Sequence, residues 1–149
     1  MVMHLQTSER LQAILKEMDA CIAAIEEIIP LEKIAIDQLN GEAIHQLTEN
    51  RRALWQELND CKSQCQQLFQ QHDMPQESDL SQLIDTCLAE DATDLHKQRQ
   101  ELNVRIINIS RENELNAIRL KAAVQAISST LQGLGLQKAK TTYSQDGTL

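Results

Sequence analysis

The sequence predicts an all-α fold, an elongated antiparallel bundle of three long helices plus one short helix, followed by a flexible C-terminal tail. Three observations predict it. Apolar residues recur at alternating steps of three and four through most of the chain, the spacing that gathers them on one stripe of a helix. Only 4 Gly and 2 Pro punctuate 149 residues, too few for the turns of a β fold. The aromatic share is 2% against a hydrophobic share of 42%, so the core must be built from Leu, Ile and Ala. That composition suits helix-on-helix seams better than a shaped ligand cavity.

The first helix is expected over residues 7–39, with Thr7 or Ser8 as its N-cap. Its seam reads Leu11, Leu15, Met18, Ile22, Ile25, Ile29, Ile36 and Leu39, beside a second row at Ile14, Cys21 and Ile28. So wide an apolar face meets two neighbours. Pro30 removes a backbone donor, yet the seam resumes in phase at Ile36, which predicts a kink rather than a break. Asn40-Gly41 reads as a left-handed helix stop. A second helix over 42–72 carries Ile44, Leu47, Leu54, Leu58, Cys61, Cys65 and Leu68, with Arg51 at one register position. The short connection makes these two helices antiparallel. His72 to Asp79 forms the clear loop, and a short amphipathic helix over 79–89 presents Leu80, Leu83, Ile84, Cys87 and Leu88. The final helix spans 93–133, capped by Asp91 or Thr93. Residues 1–134 thus make the bundle and 135–149 the tail.

The final helix carries the candidate site. Its seam runs through Leu95, Leu102, Ile106, Ile109, Leu120, Val124, Ile127, Leu131 and Leu134, but Asn113 and Asn116 stand where the register asks for apolar side chains. An amide in a helical seam costs stability unless it is hydrogen-bonded, and in return it fixes register and partner choice. From Leu102 to Ile109 the stripe reads as ordinary core. Beyond Asn116 the helix is rich in small residues, Ala117, Ala122, Ala123 and Ala126, which let another helix approach closely. That half is read as a surface for another chain.

Charge and composition narrow the function further. The net charge is −8, and the acidic excess lies on the helical body, which disfavours nucleic-acid backbones. No apolar run approaches the roughly 20 residues of a membrane span, and MVMHLQTSER has no signal-type core, so a soluble intracellular protein is expected. The cysteines Cys21, Cys61, Cys65 and Cys87 are scattered through helical segments, as in a reducing compartment. Cys61, Cys65 and His72 share a helical face, but no fourth ligand of a tetrahedral zinc site is apparent, so small buried thiols in a seam are the plainer reading. His45 and His96 raise a His-phosphotransfer module as a further alternative, although neither has a glycine-bearing docking context. No nucleophile–base set and no glycine-rich phosphate loop is present, so no enzyme and no cofactor is expected. A helical adaptor or structural coiled coil, in which the same stripe pairs two copies, remains the main rival.

Three stretches point to one family: DQLNGEAIHQLTENRRALWQEL, RENELNAIRLKAAVQAISSTLQGL and TTYSQDG. In this order, and spanning nearly the whole chain, they resemble the FlgN family of flagellar type III export chaperones. The resemblance implies a cytoplasmic chaperone that binds the C-terminal helix-forming segments of the hook-filament junction proteins FlgK and FlgL. It would prevent their premature assembly and deliver them to the export apparatus. By the same likeness Asn113, Asn116, Leu120, Val124, Ile127, Leu131 and Leu134 form the substrate seam, and Tyr143 docks on the cytoplasmic domain of the export gate. The reading needs no metal, no nucleic acid and no membrane insertion, and it leaves a homodimer open.

Overall fold

A computed structural model describes residues 2–75, 77–87 and 92–136, with side chains from residue 6 onward except at 86 and 87. Among these residues there are four helices and no strand: α1 Val2–Asp37, α2 Gly41–Gln71, α3 Leu80–Cys87 and α4 Ala92–Gly133. They have 36, 31, 8 and 42 residues, so three are long and one is short. The chain divides into two compact units, Met1–Ala24 with Ala53–Asn108, and Ile25–Arg52 with Ile109–Leu149.

The first unit is closed. Leu11, Ile22, Cys61, Leu68, Leu83, Ile84 and Leu95 are all buried to within 2%. Thr7 and His72 share a hydrogen bond of 2.9 Å, Arg10 donates to Gln67 at 3.4 Å, and the Cys21 thiol donates to Glu57 at 3.4 Å. As the α1 number rises the α2 number falls, so here the two helices run in opposite directions. Thr7 and Ser8 are buried inside α1 rather than capping it, because the helix begins at Val2 and both side chains face the packed side. The short helix α3 starts on a capping box, Asp79 Oδ1 accepting from the Gln82 amide at 2.9 Å and Gln82 Oε1 from the Asp79 amide at 3.3 Å. It is held by Leu83, Ile84 and a 2.7 Å contact from Asp85 to His96 of α4.

The second unit combines the last turns of α1, the first turns of α2 and the later part of α4. α1 passes through Pro30 without interruption. Glu32, 4% exposed, receives the Arg51 guanidinium of α2 at 2.7 Å, which explains a charged residue in the α2 register. Ala35, Ile36 and Ile44 form a small core, covered by Ala43, Leu47, Leu120 and Ala123.

Three helices end on the same hydrogen-bond motif, in which a residue with left-handed backbone is followed by an amide that reaches back five residues. At the end of α2, Asp73 has φ 55° and the Met74 amide donates to the Phe69 carbonyl at 2.9 Å. At the end of α4, Gly135 has φ 75° and the Leu136 amide donates to Leu131 at 2.9 Å. At the end of α1 the left-handed residue is Leu39, φ 54°, with the Asn40 amide donating to Ala35 at 2.9 Å. The expected stop at Asn40-Gly41 is therefore displaced by one or two residues. Asn40 instead caps α2, its Oδ1 accepting from the Ala43 amide at 3.1 Å, and Gly41 is the first helical residue.

Candidate functional site

Within the second unit the path of α4 is set by Asn116. This side chain is 2% exposed; its Nδ2 donates to the Ile29 carbonyl at 3.0 Å, and its Oδ1 accepts from Arg119 Nη1 at 2.7 Å. The cost of burying an amide is thereby met at both ends. Seven residues further along each helix, Ile36 and Ala123 belong to the same packed cluster, so in this unit α1 and α4 run in the same direction at fixed register.

That register leaves α4 with more helix than α1 can cover. α1 ends at Asp37, one residue after Ile36, whereas α4 continues ten residues beyond Ala123 to Gly133. At 1.5 Å per residue the excess is about 15 Å. From Gln125 to Leu136 no residue is buried, and only Ser128 and Leu131 are intermediate. The run from Ala122 to Leu136 holds no charged residue, and it includes Ile127 at 44% exposure and Leu134 at 70%. A charge-free helical overhang with exposed aliphatic side chains offers shape and apolar area rather than chemistry.

The seven seam residues fall into three groups. Asn116 is enclosed and Leu120 packs on the Ala35–Ile36–Ile44 cluster. Val124 and Leu131 are intermediate, as is Asn113, while Ile127 and Leu134 are open. Tyr143 lies outside the described residues. Sequence reasoning overlooked other exposed aliphatics of this unit, Leu31, Ile34, Leu115 and Ile118, because none falls on the main seams. It also placed Leu39 on the α1 seam, but that residue is 57% exposed, since the left-handed turn rotates it off the helix face.

The chemistry-bearing residues of the first unit are engaged in packing. The Cys21 thiol is pushed up to about 11 by burial and then by its hydrogen bond to, and the charge of, Glu57. Cys61 rises to about 11 through burial and the charge of Glu17, and Cys65 to about 11 through burial. Thiols so held stay protonated at neutral pH and are poor nucleophiles and metal ligands. Among the described residues no group of three or more His, Cys, Asp or Glu side chains is placed to hold a metal ion. A cleft of about 340 Å³ between α1 and α4, lined by Lys16, Asp19, Glu101 and Arg105 among others, is spanned by the Arg105–Asp19 ion pair. No helix among the described residues is long and apolar enough to cross a membrane.

The family model described as FlgN protein matches residues 1–149, the whole chain. The chain belongs to the FlgN family. FlgN membership implies a flagellar export chaperone, a role exercised by binding rather than by catalysis. No curated protein and no solved structure matches the chain.

Proposed function

We propose that this FlgN-family chain is a cytoplasmic chaperone for the C-terminal helical segments of the hook-filament junction proteins FlgK and FlgL. It holds them unassembled until delivery to the flagellar type III export apparatus. The observation that carries the reading is the α4 overhang: a helix anchored at Asn116 and Leu120 that runs about 15 Å past the end of α1 with Ile127 and Leu134 exposed and Val124 and Leu131 only half-buried. Subunits that assemble through terminal amphipathic helices expose an apolar stripe when alone, and a temporary helical seam shields it without ATP. In this division of labour Asn116 and Leu120 set the helix in place, and Asn113, Val124, Ile127, Leu131 and Leu134 receive the guest. Tyr143 is assigned to the export-gate cytoplasmic domain on family resemblance. Ordering of the guest offsets part of the buried-area gain, so the affinity is modest and release is feasible.

The test uses the two open positions, so that folding is not at stake. Ile127→Glu with Leu134→Glu should weaken binding to a purified junction protein at least about tenfold, since each places a charge on a desolvated contact. The thermal melt should stay where it is. Full binding by the double variant would remove the seam from the reading.

A further inference from the structure

The hairpin tip next to the overhang holds a residue that stability alone does not explain. A left-handed helix stop favours glycine, because a Cβ in that conformation crowds the following carbonyl. α4 uses Gly135 at this place, and α2 uses Asp73, a residue type that tolerates the region. α1 uses Leu39, a bulky residue, and leaves its side chain 57% exposed. The position is thus unfavourable twice, in its backbone and in its hydration. Strain of this kind is concentrated where a side chain is needed for contact with something else.

Its place says what that contact is. Leu39 follows Ile36 by three residues, and Ile36 belongs to the cluster that Leu120 and Ala123 cover, so Leu39 sits where α1 ends and α4 runs on past it. We infer that Leu39 is the floor of the guest site: a partner helix lies along Val124–Leu134 of α4 and abuts the hairpin tip through Leu39, continuing the packing that α1 stops providing. The overhang's length corresponds to about ten residues of guest helix. Its lack of charge from Ala122 to Leu136 selects a guest whose facing side is aliphatic and uncharged. Asp37 and Glu42, exposed beside the tip, leave room for basic residues only at the guest's margin. This rests on the proposed chaperone reading and adds to it a contact outside the α4 seam.

The experiment titrates the full chain, Leu39→Gly, Leu39→Met and Ile127→Glu against a C-terminal segment of a hook-filament junction protein, with thermal melts of each. Leu39→Gly should melt about 2–4 °C higher as the strain is relieved, yet bind about five- to tenfold more weakly as apolar contact is lost. Leu39→Met should keep most of the affinity. If Ile127→Glu loses binding while Leu39→Gly keeps it, the floor is wrong and the chaperone reading stands. If the full chain does not bind the segment, the chaperone reading falls and the floor with it; if it binds and neither variant changes binding, both the seam and the floor are wrong. A melt lowered by Leu39→Gly would mean that Leu39 packs within the fold, which also overturns the inference. So would a dimer mass in light scattering that Leu39→Gly alone converts to a monomer, because the occupant would then be a second copy. Tighter binding on removal of residues 137–149, with Leu39→Gly now silent, would assign the floor to the chain's own C-terminal segment.

Discussion

The two compact units use the same kinds of residue to opposite ends. The first unit encloses Leu11, Ile22, Leu68, Leu83, Ile84 and Leu95 almost completely, and among its described residues only Val104 and Ile107 are large hydrophobics left exposed. The second buries Ile25, Ile29 and Ile109 and a small core of Ala35, Ile36 and Ile44, while Leu31, Ile34, Leu39, Leu115, Ile118, Ile127, Leu134 and Leu136 remain open. The difference is not one of composition, since both are rich in Leu, Ile and Ala. It lies in how many helices share the work. In the first unit α1, α2, α3 and α4 all contribute, and in the second α4 outruns the hairpin. One unit holds the fold and the other keeps surface available.

Truncating an apolar side chain in each unit gives the largest test of that contrast. Leu68→Ala, in the closed unit, should lower unfolding stability by about 2–5 kcal/mol, through lost burial and a residual cavity. Ile118→Ala, 64% exposed in the open unit, should change it by less than about 0.5 kcal/mol. Urea titrations of both variants check this, and comparable losses would erase the distinction. Asn116→Ala should have an intermediate effect, about 1–3 kcal/mol. It leaves the Ile29 carbonyl and Arg119 without their amide partner and loosens the register on which the overhang depends. If the register matters for binding, the same variant weakens junction-protein capture even where the protein remains folded.

The smallest effect is alkaline. The native thiols of Cys21, Cys61 and Cys65 titrate near 11 rather than at the ordinary 9.0, so the native state favours their protonated form. Their contribution is fully present below pH 9 and is lost as pH rises from about 9 to 11, because the unfolded chain releases these protons first. Melts between pH 8 and 11 should therefore fall more steeply for the parent chain than for a Cys61→Ala variant. A thiol reagent at pH 8 should label these cysteines only as fast as the first unit opens.

Much of this was legible from the chain alone. The three-and-four spacing determined the helices, and the near absence of aromatics and glycine excluded strands and a deep pocket, because periodicity and turn chemistry are local properties. The asparagines of α4 were visible as exceptions to an apolar register. Their meaning was not, since only packing decides that Asn116 turns inward onto Ile29 while Ile127, eleven residues later, faces outward. Nor does periodicity reveal that α1 stops one residue after Ile36 with a leucine in a glycine conformation, since the favoured reading of Asn40-Gly41 placed the turn later. Sequence determines which residues share a helix face. Which part of that face is covered depends on where the neighbouring helix ends, and that is a tertiary fact.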